Sequence, residues 1–371
     1  MKKKRLKKKS IIILGIMILI VVIEIINPIN LYNKYQLKNL KYNDISISNI
    51  LQNGLKKEVL EIGFNKTLDI VFESEDFNSK YFDIYKNLNY YELNDYTKNV
   101  NKLIDKGYSK DDINNILKSA SNESLKEFLE KDYIENISKF LEVDYSILTN
   151  IDRYIEYQNK HNIDKELVVM YVNIGLDKEF YKDVSTTNEF SYDILVNKYH
   201  AVSEDFIPEN LVDVPSEYGK NQKLNEEALK AFINMSQDCK ANTNYKLLIR
   251  SGYRDFKEQE KTYNSYLKTY GKTYAENYVT HPGYSEHHTG LAIDIQAESS
   301  NVFANSKEST WTYENAYKYG FILRYKKEYE SITGIKYESW HFRYVGIEIA
   351  KYIYENPMTY EEYYVRFLSN K

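Results

Sequence analysis

Cysteine is almost missing from this chain: Cys239 is the single one in 371 residues. An intramolecular disulfide and a multi-thiolate metal site are both excluded. Cys239 lies in Gln237-Asp238-Cys239-Lys240, with no histidine or glycine turn beside it, and reads as an ordinary helix residue. Proline and glycine are also scarce, at 5 and 13 residues, which excludes a collagen-like or low-complexity chain. Positive charge is lacking where a nucleic-acid binder would need it. The formal net charge is −4, yet residues 1–10 hold Lys2, Lys3, Lys4, Arg5, Lys7, Lys8 and Lys9, so the remainder carries −11. Phosphate neutralisation across a folded surface is not served by that distribution, and nucleic acid is excluded as a partner. What is present is a 43% hydrophobic, 28% charged composition with 38 tyrosines, which fits folded structure packed in large part by amphipathic aromatics. The length accommodates two ordinary domains, or one with a helical addition.

Behind the basic residues stands one long apolar run, Ile11 to Ile23, interrupted by Glu24 and resumed by Ile25 and Ile26. It reads either as a secretory apolar region or as a short anchor. No small-x-small cleavage site follows and no cysteine is there for lipid attachment, so retention is expected. The expectation is a basic cytoplasmic tail at 1–10, a transmembrane anchor at 11–29, and everything beyond in extracytoplasmic space. Cleavage of the segment would instead give a secreted protein.

From 30 to 187, apolar spacing near 3.6 predicts helices, including Ile113 to Phe128 and Tyr133 to Leu141. Ser109-Lys110-Asp111-Asp112 is a helix start, with Asp112 at the third position, and Ser121-Asn122-Glu123-Ser124 is a weaker one. A degenerate helical repeat is open, without a fixed period. After about 188 the character changes. A short strand at Ile194 to Lys198, a turn at Ile207 to Leu211, a helix over Lys223 to Cys239 and a strand over Tyr245 to Arg250 predict mixed α and β structure for 188–371.

Four of the six histidines, His281, His287, His288 and His341, fall between 281 and 341. The HExxH helix of many zinc peptidases is missing. His287 and Asp294 are seven apart, with Gly290 between them as a turn and Leu291 to Ile295 alternating as a strand. A histidine before the turn and an aspartate on the strand could therefore converge on a metal, with His341 as second imidazole. Two nitrogens and one carboxylate oxygen leave a zinc position open for water, as catalytic sites do, and Glu338 is the natural base for that water. The competing reading places His287-His288 on a loop, Asp294 in a turn brace and Trp340 in the core. His281, before Pro282, reads as a loop residue.

Three separated motifs add to this: Ser251-Gly252-Tyr253-Arg254 with Gln259, Ser285-x-His287-x-x-Gly290-x-Ala292-x-Asp294, and Glu338-x-Trp340-His341-x-Arg343. In this order they resemble the VanY-type D-alanyl-D-alanine carboxypeptidases, in the zinc peptidase family that also contains VanX-type D,D-dipeptidases. The likeness covers roughly 190 to 350. It implies an α+β domain with a small antiparallel sheet flanked by helices, one Zn²⁺ on His287, Asp294 and His341, Glu338 as general base, and Arg254 near the scissile carbonyl. It implies that Ser285 and Gln259 line the substrate end, with Tyr253 and Trp340 as pocket walls. Ser339 departs from the family's usual proline without removing a ligand. The substrate so implied is a peptidoglycan stem peptide ending in D-Ala-D-Ala. A D,D-dipeptidase, an endopeptidase and a non-catalytic wall-binding module are the alternatives.

Overall fold

The computed structural model describes residues 29–182 and 184–369. The expected span at 11–29 lies, apart from Ile29, outside them. Among the described residues no helix is long and apolar enough to cross a membrane. The helix over 29–39 interleaves Asn30, Asn33, Lys34 and Lys38 with its apolar side chains, so it has no continuous apolar run. The expected fold class, partners and localisation are corrected accordingly: the transmembrane element, the membrane as a partner and the single-pass topology are not part of the architecture described.

The chain divides into two compact units, one of residues 1–142 with 147–151 and one of 143–146 with 152–371. In the first, short helices follow one another, among them Asp44–Gln52, Lys66–Glu73, Tyr96–Asp105, Lys110–Lys118 and Asn122–Leu129. Ser109 and Asp112 close a reciprocal capping box, as do Ser121 and Ser124. The second box breaks the predicted Ile113 to Phe128 helix in two. Tyr133 to Leu141 forms only one helical turn, Ser138–Leu141. Side-chain bonds join Asn43 to Asp69, Asn114 to the Asn89 amide, and Tyr108 to the Ile134 amide, spacings of 26, 25 and 26 residues that fit a degenerate repeat.

Among the described residues the second unit carries three small sheets. β1 (Ser185–Thr187) pairs in parallel with β2 (His200–Val202), and β3 (Leu211–Asp213) pairs antiparallel with β4 (Lys223–Asn225). The predicted strand at Ile194 to Lys198 is irregular, with a single antiparallel bridge from Asn197 to His200. The main sheet is antiparallel in the order β5 (Leu247–Ser251), β6 (Ala292–Ala297), β8 (His341–Tyr344), β7 (Phe321–Leu323). The helix Glu226–Thr243, capped by Asn225, buries Phe232, Met235 and Cys239 in the same core as Ile249, Ile293, Ile295 and Phe342. Burial pushes the Cys239 thiol up to about 11, in keeping with an inert core residue.

Successive strand side chains point to opposite faces. Ile293 and Ile295 therefore fill the core and send Asp294 to the other side, and Phe342 does the same for His341. The register pairs Asp294 directly with His341 across β6 and β8. A bulge between Ile249 and Ser251 brings Ser251 of β5 opposite Asp294 as well. The opposite face of one sheet is thereby polar at its centre, and the site is built there.

Candidate metal centre

His287 reaches Asp294 from outside the sheet. It sits in the short 3-10 turn Glu286–Thr289, opened by Ser285, whose hydroxyl accepts the His287 amide, and closed by Gly290 in the left-handed conformation at φ 68°. A Cβ on Gly290 would lie 2.8 Å from Leu211 Cδ2 and 3.2 Å from the Asn225 amide nitrogen, so glycine is required on two counts. Gly252 is required for close approach, since a Cβ there would meet the Lys223 carbonyl oxygen at 2.5 Å. Its own carbonyl accepts the His287 Nδ1–H at 2.6 Å, which leaves the Nε2 lone pair facing the cleft.

Asp294 Oδ1 stands 3.4 Å from His287 Nε2 and 3.2 Å from His341 Nδ1. One donor atom from each of the three residues falls within a 4.8 Å group, the only cluster of three or more such side chains found among the described residues. His287 Nε2 is buried and makes no hydrogen bond, an unusual cost for a polar atom unless something else meets its lone pair. Glu338, in the turn before β8, places Oε2 3.7 Å from His341 Nδ1.

The electrostatics suit a bound cation. Burial pushes His287 down to about 4, with Arg254 adding to the effect. Burial also opposes a charge on His341, yet hydrogen bonds to Asp294 and Glu286 outweigh it and hold this imidazole up at about 9. Asp294 is held well below the usual carboxylate range, against its burial, by the two histidines. Burial lifts Glu338 to about 8, with Asp294 adding and His341 and Arg254 opposing. A metal among the three donors would take over the positive charge that His341 otherwise supplies to Asp294. Two neutral imidazoles and a carboxylate, with the second nitrogens already committed elsewhere, suit Zn²⁺ with a coordination position left open.

The cleft above the triad encloses about 520 Å³, solvent at its mouth included, and brings together Arg254, Gln259, Ser285, Glu338 and Trp340 from the predicted set. Arg254 keeps a buried Nε–H without a protein partner, and Gln259 a buried, unpartnered Oε1. Burial pulls the Arg254 guanidinium below its usual value, with Asp294 and Glu338 opposing. Tyr253 faces elsewhere and lines a neighbouring depression with Phe256 and His288. His288 is a brace: Nδ1–H donates to the Arg254 carbonyl and Nε2 accepts the Gly283 amide. His281 is a loop residue stacked on Tyr181 and bonded to Glu276. Sequence reasoning missed Arg250, whose guanidinium lies over the Trp340 ring and 3.9 Å from Asp294, and it missed Tyr266 and Tyr325 in the cleft wall. Arg250 stands one residue before the Ser251 motif, with no spacing signal of its own.

A family model for D-alanyl-D-alanine carboxypeptidases (VanY) matches residues 221–347. The putative carboxypeptidase YodJ of Bacillus subtilis (strain 168) is 35% identical over 207 residues, 51% of this chain and 76% of the relative. The chain belongs to the zinc D,D-peptidase family. A D-alanyl-D-alanine carboxypeptidase of Enterococcus faecium is 31% identical over 56% of this chain and 69% of its own length. The bifunctional D-Ala-D-Ala dipeptidase and carboxypeptidase VanXYC of Enterococcus gallinarum is 34% identical over 46% of this chain and 92% of the relative. As a member of the family the chain is a metallopeptidase, and the His287-Asp294-His341 cluster is its site for a single Zn²⁺.

Proposed function

We propose that this zinc D,D-peptidase family member acts as a VanY-type carboxypeptidase, with residues 188–371 hydrolysing the terminal D-Ala-D-Ala bond of peptidoglycan stem peptides. The observation that carries the reading is the convergence in one cleft of the donor triad, a buried carboxylate at Glu338 and an unpartnered guanidinium N–H at Arg254. Zinc in such a site lowers the pKa of water and polarises a carbonyl. Glu338 takes the proton of the attacking water and returns it to the departing amine, so one carboxylate serves both half-reactions. Arg254 donates its free N–H to the substrate oxygen as negative charge develops there, an interaction that gains most in the transition state. Ser285 donates its hydroxyl to the terminal carboxylate, Gln259, whose Nε2 is taken by the Thr280 carbonyl, offers Oε1 to a substrate N–H, and Trp340 forms a wall. Arg250 adds positive charge at the cleft mouth, suited to a substrate that ends in a carboxylate.

The bifunctional relative favours a second reading, cleavage of the free dipeptide. The ratio of kcat/KM for a stem pentapeptide to that for D-Ala-D-Ala separates the two. The proposal expects a ratio well above one, and a ratio below one would make the chain a dipeptidase.

A further inference from the structure

Glu286, between Ser285 and His287, has no role in the motif reading of the sequence, yet it sits at the centre of a fully enclosed ionic cluster. Its side chain has 0% exposure, as have those of Arg324 and Arg343. Oε2 lies 3.2 Å from His341 Nε2, and Oε1 accepts from Arg324 Nε at 2.8 Å and from Arg343 at 3.4 Å. Arg324 in turn grips Glu361 with both terminal nitrogens, at 2.9 and 2.5 Å, and Asn197 donates to the same carboxylate. Glu361 belongs to the C-terminal helix Tyr360–Phe367.

We infer that Glu286 is a positioning residue for the metal ligand His341, and that Arg324 carries this positioning to Glu361 on the C-terminal helix. An imidazole binds metal through the nitrogen that lacks hydrogen, and the partner of its other nitrogen decides which one that is. A carboxylate only accepts, so Glu286 keeps hydrogen on Nε2 and turns the Nδ1 lone pair toward Asp294 and the cleft. His287 receives the same service from a backbone carbonyl, which is fixed by the fold. Glu286 is a side chain and needs holding. Two arginines and two glutamates balance in charge, which makes the enclosed cluster tolerable, and the bidentate Arg324–Glu361 fork fixes the geometry. The inference rests on the triad and is independent of the substrate assigned above.

The test is Zn²⁺ affinity of the full chain, by competition with a chromophoric chelator, together with the visible spectrum of the Co²⁺-loaded protein. Glu286→Gln should lower zinc affinity by about 10–100-fold and alter the cobalt spectrum. Glu308→Gln is the control, since Glu308 is equally enclosed but bonds Ser299 and has no path to His341. It should leave both readouts at wild-type values even where it lowers Tm. Equal, wild-type zinc affinity in the two variants would overturn the inference. Should Glu286→Gln fail to fold, Glu361→Gln reads the same quantity from the far end: weakened zinc binding supports the positioning chain, and unchanged binding overturns it. A wild-type chain that binds no zinc would sink the metal assignment itself.

Discussion

Glu338 and Arg254 divide the proposed chemistry between a proton carrier and a charge stabiliser, and their variants should fail differently. Glu338→Gln keeps the shape of the cleft and all three donors, so zinc affinity should hold while kcat falls by about 10²–10⁴. Arg254→Ala should lower kcat by about 10²–10³ with a smaller change in KM, since its free N–H matters most to the developing oxyanion. Steady-state kinetics with metal content measured in parallel check both. The triad was legible in sequence because each ligand stands in a motif that carries its own neighbours. Glu286 was not, because what makes it matter lies at Arg324 and Glu361, 38 and 75 positions away in a chain whose spacing says nothing of enclosure. Tyr253 misled for a related reason: it adjoins Arg254 in sequence, but its side chain lines the neighbouring depression with Phe256 and His288 while Arg254 lines the cleft.

The element that concentrates risk is the turn between His287 and β6. Gly290 adopts φ 68°, and its carbonyl accepts the Asn225 amide at the head of the helix Glu226–Thr243. Gly290→Ala should cost about 1–3 kcal/mol through left-handed strain and the crowding against Leu211, read as a shift in the urea midpoint at constant m. By contrast Ser109→Ala, which removes one capping box in the helical unit, should cost about 1 kcal/mol and leave turnover unchanged. Helix starts at Ser109 and Ser121 could be read in advance because capping is local chemistry. The break at Ser119–Ser121 and the irregular course of 133–137 could not, because the apolar spacing runs on through both. Strand alternation at Leu291 to Ile295 placed Asp294 on the right face, and only the register with His341 required the structure.

Across the whole second unit, pH should act through the part-buried His200 as well as through the cleft. Burial pushes His200 down to about 4, with Glu361 opposing, against an ordinary value of 6.5. Above 6.5 the folded and unfolded chains both hold it neutral and it has no effect on stability. Between 6.5 and about 4 the unfolded chain binds the extra proton, so stability falls as pH falls, by about 2 kcal/mol at pH 5. His200→Gln should remove that share of the slope, visible when urea midpoints near pH 7 and pH 5 are compared with wild type. The mixed α and β character of the C-terminal part was readable from alternation and turns. How the chain divides was less so: helix Lys165–Ile174 contributes Met170 and Ile174 to a core shared with Val365 of the last helix, a long-range contact without a local sequence signature.

Mass spectrometry of the products of a stem pentapeptide ending in D-Ala-D-Ala, incubated with the zinc-loaded chain, tests the central claim most directly. The account predicts tetrapeptide plus free D-alanine, lost on chelation, restored by Zn²⁺, and lost in Glu338→Ala with its zinc still bound. An intact pentapeptide with folded, zinc-loaded protein, or undiminished cleavage by Glu338→Ala, would contradict it.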